Sequence, residues 1–352
     1  MSGDERILLA HGGGGTLSRR LIEDEFLRAF DNPILRDLDD AAPLGEASPA
    51  GTTSPPTATG TSDLTRLAVT TDAYVVSPPF FPGGDIGHLA IAGTVNDLSV
   101  SGARPRWITC SFILEEGLPL SDLRRVIGSM AETAREAGVS IVAGDTKVVE
   151  RGAADRLFVT TTGVGTISGL PAGWGLPEEG DRVLVNGTLG DHGFTILAVR
   201  EGLEFEHPLR SDTAPLNGLI FGLLEAGVRI RLMRDLTRGG LGGILHELAA
   251  DRSWGFHIAE GTLPLSPAVR SFSELLGLDP LFVANEGKLV LVVAEQDADK
   301  ALDLMRDHPY GRQAADIGAV TCQTPGMVVM ETPLGSRRLI EPPSGEQLPR
   351  IC

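Results

Sequence analysis

Apolar residues recur along this chain with the two spacings that distinguish helices from strands. Repeats of three to four residues predict helices at 16–30, 85–101, 120–137, 194–199, 216–226, 241–250, 266–276 and 297–306. Short apolar runs bounded by turn-forming residues predict strands at 64–69, 106–114, 140–143, 157–164, 181–186, 288–294, 326–331 and 337–340. The alternation of strands and helices predicts an α/β (α+β) fold, in which the short apolar run 140–143 is a buried strand.

The length of the chain predicts two domains. Its 352 residues exceed what one ordinary hydrophobic core accommodates, and the Pro/Gly-rich stretch 171–180 is a suitable boundary. We expect an N-terminal domain at 1–168, a C-terminal domain at 176–341 and a flexible tail at 342–352. Residues 43–62 are rich in Pro, Thr, Ser, Ala and Gly, which predicts a disordered insertion within the first domain.

Composition and charge exclude several classes of protein. Acidic residues outnumber basic ones by 47 to 30, giving a net charge of −17, so binding to nucleic acid or to an anionic membrane is not expected. Three cysteines without a CxxC motif predict neither a disulfide framework nor a zinc site. The first residues lack the basic and apolar regions of a secretory signal, so we expect a cytoplasmic protein.

Five aspartates stand at element ends or among small residues: Asp40, Asp72, Asp97, Asp145 and Asp235. Such carboxylates suit Mg²⁺, which takes a few of them and leaves the rest of its shell to phosphate and water. For any single Asp, a helix cap or a turn is the simpler explanation. The set favours a metal site because the acids are embedded in stretches rich in Gly or Ala and not in a lysine-rich face.

A run of four glycines, Gly12, Gly13, Gly14 and Gly15, precedes the first predicted helix. Its backbone N–H groups could surround a phosphate, although a flexible hinge explains the run equally well. Lys147 and Glu286 lie in the motifs GDTKV and ANEG at strand margins, which is where substrates bind in α/β folds.

The chain ends on a free cysteine, Cys352, behind a stretch rich in Pro, Gly and Glu. If extended, the eleven steps from Glu341 span about 36 Å at about 3.3 Å per residue, enough to reach an active site on this chain or on a partner. A frayed end that finishes in Cys is the simple alternative.

Taken together, these motifs carry a family resemblance. They are HGGGG at 11–15, DDAA at 39–42, TTD at 70–72, GTVNDLSVSGA at 93–103, GDTKV at 144–148, RDLTRGG at 234–240, ANEG at 284–287 and PRIC at 349–352. The chain resembles the HypE family of hydrogenase maturation proteins, in the superfamily of aminoimidazole ribonucleotide synthetase, thiamine-monophosphate kinase and selenophosphate synthetase. The insertion at 43–62, directly after Asp40, departs from the family pattern.

The resemblance implies a PurM-like two-domain fold, a homodimer paired through the sheets of its first domains, and ATP bound between the two domains. It also implies an activity. A HypF-type carbamoyltransferase would load a carbamoyl group onto the terminal thiol, and ATP would drive its dehydration to a thiocyanate. The cyanide would pass to iron on a HypC–HypD scaffold for a [NiFe] hydrogenase.

The same resemblance assigns roles to residues. Cys352 would carry the group, and Lys147 and Glu286 would deprotonate its nitrogen. Mg²⁺ and phosphate would be held by Asp40, Asp72, Asp97 and Asp145. The nucleotide would also be bound by Asn96, Asp235 and the glycine run 12–15.

Two other functions stay open at this point. A related ATP-dependent kinase or synthetase of the same fold would act on a small molecule and would not need Cys352. A non-catalytic scaffold would use that thiol to bind iron or nickel, but one thiol provides too few soft ligands for a stable site.

Overall fold

In the computed structural model, the chain folds around two large β-sheets, one in each half. The structure describes residues 7–8, 11, 15–30, 32, 34–44, 66–170, 174–203, 209–250, 252–341, 348 and 350–352. Within these ranges the predicted α/β (α+β) class is confirmed, since helices and sheets occur in both halves.

The first sheet has five strands in the order β1-β2-β7-β5-β6. They are β1 (Ala42–Leu44), β2 (Arg66–Tyr74), β5 (Arg104–Glu115), β6 (Ser140–Val149) and β7 (Leu157–Ile167). All neighbours are antiparallel except β5 and β6, which are parallel. The short hairpin β3 (Phe80–Phe81) and β4 (Gly84–Asp85) precedes α3 (Ile86–Val100), and α4 (Leu120–Ala137) links β5 to β6. Before β1 lie α1 (Gly15–Leu21), a π-helical stretch (Ile22–Leu27), α2 (Arg28–Phe30) and a 3₁₀ turn (Leu35–Asp37).

The second sheet has seven strands in the order β14-β13-β10-β12-β8-β11-β9. They are β8 (Arg182–Val185), β9 (Ile230–Asp235), β10 (Gly255–Ala259), β11 (Leu289–Val293), β12 (Ala315–Thr321), β13 (Val328–Glu331) and β14 (Arg337–Leu339). Its helices are α5 (Asp191–Glu201), α6 (Asn217–Glu225), α7 (Gly240–Ala249), α8 (Pro267–Leu276) and α9 (Ala298–Asp307). Strand β11, between β8 and β9, is buried at every position, consistent with helices packing over both faces of the sheet.

Helix α3 is the packing centre of the first domain and is buried along almost its whole length. Small residues allow this close packing. A Cβ on Gly87 would lie 2.4 Å from the Val126 carbonyl of α4, and one on Gly93 would lie 2.4 Å from the Tyr74 hydroxyl. The helix starts at Asp85, whose carboxylate accepts hydrogen bonds from the backbone N–H groups of Gly87 and His88 and so satisfies two donors that the helix cannot pair.

The same helix joins the two domains through one buried side chain. Asn96 donates to the carbonyl of Ala214 at 3.0 Å and accepts from the N–H of Leu216 at 2.7 Å. It also lies 3.4 Å from the carbonyl of Glu286. A side chain of the first domain therefore fixes two backbone segments of the second.

Several predicted elements differ from the structure. The buried strand expected at 140–143 is wrong in length and environment, because β6 continues to Val149 and is exposed over nearly all of its length. Strands β9, β10 and β12 were not predicted. Pro43 and Leu44, which we expected within the insertion, belong instead to β1 and pair with Ala68 and Leu67 of β2. Residues 45–62 lie outside the described ranges.

No helix in the described ranges is long and apolar enough to cross a membrane.

The close approach of α3 to α4 generates a prediction. Gly87→Ala should lower the free energy of unfolding by about 1–3 kcal/mol, because its Cβ cannot be placed without moving the α4 backbone. Gly128→Ala on α4 is the matched control: nothing lies within 4 Å of its Cβ, so the change should stabilise by about 0.5–1 kcal/mol through helix propensity. Urea unfolding followed by circular dichroism would measure both, and equal effects would contradict the packing described.

Candidate functional site

The last residues of the chain lie against the body of the protein. Ile351 is 3% exposed and packs in the core of the first domain, and Cys352 is half-buried beside that core. The N–H of Val75 donates to a Cys352 main-chain oxygen at 3.0 Å, and the N–H of Ser77 lies 3.5 Å from the carbonyl of Arg350. Residues 342–347 and 349 are outside the described ranges.

Five carboxylates gather where β2 and α3 of the first domain meet the second domain. We call this group the acidic cluster; it consists of Asp40, Asp72, Asp97, Asp235 and Glu286. Four of the five predicted aspartates thus come together, although they are up to 195 positions apart in the chain. Three of them come from separate elements: β2 carries Asp72, α3 carries Asp97 and β9 carries Asp235.

Asp97 and Asp72 occupy the centre of the acidic cluster. The hydroxyl of Thr70 donates to Asp97 Oδ2 at 2.9 Å, and the hydroxyl of Tyr74 donates to Asp72 Oδ2 at 3.1 Å. Loss of solvation raises the pKa of Asp97 well above its usual range, and the charges of Asp72, Asp235 and Asp40 raise it further. A side-chain hydrogen bond with Asp72 also raises the pKa of Asp97, so the two carboxyl groups lie close together.

Asp40 joins the cluster through an ion pair with Arg234 on β9, at 2.8 Å. Burial raises the pKa of Asp40 to about 8 even though Arg234 acts to lower it. The pair links the segment before the insertion to the second domain. It also supplies a cation that offsets part of the negative charge of the cluster.

Glu286 projects from the turn 284–287 and is 2% exposed. Its Oε1 has no hydrogen-bond partner in the described part of the chain, and burial together with Asp212 and Asp235 raises its pKa well above the usual range. Asp212 fixes the turn by accepting from the N–H groups of Glu286 and Gly287, both at 3.2 Å. Gly287 is required there, because a Cβ would lie 1.9 Å from the carbonyl of Asp212.

Arg238 is a functional candidate that sequence reasoning missed. Loss of solvation alone would lower its pKa, but the negative charges of Cys352, Asp72 and Asp97 raise it above the ordinary value. The arginine is therefore within electrostatic range of both the acidic cluster and the end of the chain. The only signal in the sequence was its position within the RDLTRGG motif, three residues after Asp235.

Asp145 and Lys147 do not join the acidic cluster. Both lie on β6 with side chains 62% and 70% exposed, and they pair with each other at 2.7 Å. Strands β7 and β5 separate β6 from β2, the strand that carries Asp72. At about 4.8 Å per strand, β6 and β2 are about 14 Å apart. Within one chain, these two residues face solvent.

The remaining predicted nucleotide ligands have different surroundings. Asn96 uses its amide to bind the backbone of the second domain. Gly15 begins α1, whereas Gly12, Gly13 and Gly14 lie outside the described residues.

The cluster fits Mg²⁺ in the manner typical of nucleotide enzymes. Among the described residues, no three His, Cys, Asp or Glu side chains are arranged to hold a metal ion by themselves. Mg²⁺ usually takes one or two carboxylates and completes its shell with phosphate oxygens and water. The closely interacting Asp72 and Asp97, whose charges repel each other, provide such a pair.

Comparison with known proteins gives consistent matches. Residues 40–167 of this chain match the N-terminal domain of the family described as "AIR synthase related protein", and residues 178–329 match the C-terminal domain of that family. The carbamoyl dehydratase HypE of Azotobacter vinelandii is 48% identical over 345 residues, covering 98% of this chain and 96% of that protein. A crystal structure of HypE with ATP is 48% identical, with a TM-score of 0.76, and covers 99% of this chain and 100% of that one. A HypE–HypF complex is 44% identical, with a TM-score of 0.81, and covers 92% and 99%.

The raised pKa values generate a prediction about stability. A carboxyl whose folded pKa is raised keeps a proton that the unfolded chain has lost, so stability falls as pH rises from about 4 towards the folded pKa, which for Asp40 is about 8. Between pH 6.5 and 8.5, metal-free and nucleotide-free protein should therefore lose stability. Asp97→Asn should reduce this loss and raise Tm at pH 8.5 by about 2–4 °C.

Differential scanning calorimetry of the two proteins with a chelator present would measure this effect. Asp145→Asn is the matched control, because Asp145 is exposed, is stabilised in its charged form by Lys147 and lies outside the cluster. Identical pH dependence of Asp97→Asn and the parent chain would show that the cluster carries no excess repulsion.

Proposed function

This chain belongs to the HypE family of carbamoyl dehydratases, and on that premise we propose that it uses ATP to convert a carbamoyl group on the Cys352 thiol into a thiocyanate. The observation that carries the proposal is the position of the chain end. The charges of Cys352, Asp72 and Asp97 all raise the pKa of Arg238, so the chain end and these two carboxylates are close enough to act on one guanidinium. A group bound to this sulfur would therefore be next to the carboxylates that suit a metal–nucleotide complex.

The reaction requires a poor leaving group to be activated. The carbamoyl oxygen attacks the γ-phosphorus of ATP, the bond to the ADP oxygen breaks, and loss of one N–H proton gives a phosphorylated imidate on sulfur. Loss of the second N–H proton then expels phosphate as the C–O bond breaks, which leaves S–C≡N. The thiol is the carrier throughout, and the former carbamoyl oxygen leaves in the phosphate.

Residues of this chain meet the main needs of these steps. Bound Mg²⁺, held by Asp72 and Asp97, would supply positive charge to the phosphate groups. Arg238 adds a positive charge within electrostatic range of the chain end. Glu286 suits the role of base, because its buried Oε1 lacks a partner and its raised pKa makes it a better proton acceptor than an ordinary glutamate.

Lys147 and Asp145 enter the proposal through a homodimer. Strand β6 is an exposed sheet edge, and the large apolar residues Trp107, Ile141, Val142 and Val148 on β5 and β6 are 42–67% exposed. Exposed edges and apolar patches of this kind favour pairing with a second copy. We propose that the paired sheets place Lys147 of each copy at the active site of the other.

Other proteins would act before and after this reaction. A HypF-type carbamoyltransferase would load the thiol, in keeping with the solved HypE–HypF complex, and a HypC–HypD scaffold would accept the cyanide for a [NiFe] hydrogenase. Because Cys352 is half-buried against the body, the tail must leave its position for each of these exchanges.

The central prediction concerns the mass of the tail peptide. Protein carbamoylated on Cys352 should lose about 18 Da when Mg-ATP is added, and Glu286→Gln should keep the carbamoyl mass because the base is absent. Mass spectrometry of the C-terminal peptide measures this directly. A kinase or synthetase acting on a small molecule would instead leave the mass unchanged, and its turnover would survive removal of Cys352.

A second prediction tests whether the two copies share the site. Lys147→Ala and Glu286→Gln should each be inactive, whereas dimers formed by mixing and refolding equal amounts should regain about a quarter of the parent rate, because half are mixed dimers with one complete site. Phosphate release measures the rate. If both residues served the same chain, every site in the mixture would be defective and no activity would return.

A further inference from the structure

The last three residues are held mainly through their main-chain atoms. Val75 donates to the Cys352 main-chain oxygen at 3.0 Å, and the Nε2 of His192 lies 2.9 Å from the carbonyl oxygen of Ile351. The guanidinium of Arg200 donates to the carbonyl of Arg350. The three residues next to the reacting sulfur thus each have a fixed backbone position.

Arg350 reinforces this arrangement. It adopts φ of 54°, a left-handed conformation that is uncommon for residues other than glycine. Its side chain donates to the carbonyl of Val75 at 3.1 Å and to Asp155 at 2.9 Å. These bonds offset the cost of the backbone conformation and turn the chain towards the protein interior.

His192 is built to act as a hydrogen-bond donor. It is fully buried at the start of α5 and packs edge-on against Phe81, with ring centroids 5.5 Å apart. Its Nδ1 lies 2.7 Å from the hydroxyl of Ser211, which contacts the hydroxyl of Thr213 at 2.6 Å.

The partners of the imidazole determine its tautomer. The carbonyl of Ile351 can only accept a hydrogen bond, so Nε2 carries the hydrogen, and burial lowers the pKa of His192 so that the neutral ring is favoured. Nδ1 then accepts from Ser211, which keeps the ring from turning.

We infer that His192, oriented by Ser211, is a positioning residue that holds the chain end in the active site by binding the carbonyl of Ile351. The inference rests on the proposed function and identifies what positions its substrate. His192 does not touch the sulfur. It binds the carbonyl of Ile351, the residue before Cys352, and so restricts the movement of the cysteine.

The test measures access to the thiol and needs no catalysis. In a Cys322→Ser background, which removes the exposed cysteine, Cys352 would be titrated with a disulfide reagent such as DTNB. His192→Phe keeps a ring against Phe81 but removes the donor, and should raise the Cys352 reaction rate about tenfold. His192→Gln, whose amide nitrogen can donate from a similar distance, should return the rate close to that of the background protein.

The same proteins can then be compared in single-turnover dehydration. His192→Phe should lower the rate about tenfold while the ATP dissociation constant stays unchanged, and His192→Gln should recover most of the loss. Ser211→Ala leaves the ring in place but removes its orienting partner, and serves as a milder variant expected to give an intermediate thiol reactivity.

Two results would overturn the inference. One is a Cys352 reactivity in His192→Phe equal to that of the background protein. The other is an equal rise in His192→Phe and His192→Gln, which would show that packing, and not the hydrogen bond, holds the tail. Failure of the proposed dehydration would be distinguishable, since thiol reactivity would still respond to these changes while no carbamoyl mass would be lost.

Discussion

Repulsion among the carboxylates of the acidic cluster is the constraint on which the rest of this structure depends. The fold gathers these groups between its domains and provides Arg234 and Arg238 as nearby cations. Burial is the main cause of the raised pKa values of Asp40, Asp97, Asp235 and Glu286, and the charges of neighbouring carboxylates raise them further. Burying carboxylates close together lowers the stability of the protein when no positive charge is bound. A cation bound at such a site would offset this loss of stability.

The two domains contribute to this site unequally. Helix α3 carries Asp97 towards the cluster and Asn96 towards the second domain, so one helix both supplies a carboxylate of the cluster and binds the backbone of the domain that carries Glu286. The second domain supplies Glu286 and Arg238, and its α5 carries His192 to the chain end. Because each half holds only some of the groups, the site exists only when the domains are docked in this arrangement.

The sequence predicted the fold class and most helices, and its acidic residues among small neighbours included Asp72, Asp97, Asp235 and Glu286, which the structure brings together. The sequence-based prediction failed for β6, because apolar side chains give the same sequence pattern whether or not the rest of the chain buries them. Position in the GDTKV motif likewise could not show that Asp145 and Lys147 lie on the opposite sheet edge from Asp72. The local sequence around His192 does not indicate its role, because the residue that its ring binds, Ile351, lies 159 positions away in the chain.

The antiparallel alignment of residues 350–352 with residues 75–77 has a consequence for how the tail can change over evolution. Backbone hydrogen bonds depend on the position of a residue and little on its side chain, but each of the last three residues also has a side-chain contact or role: Arg350 bonds Val75 and Asp155, Ile351 fills a place in the core, and Cys352 carries the thiol. A gain or loss of a single residue reverses which side chains face inward and displaces the sulfur by one step. The structure therefore constrains the number of residues in the tail as well as the identity of its last three side chains.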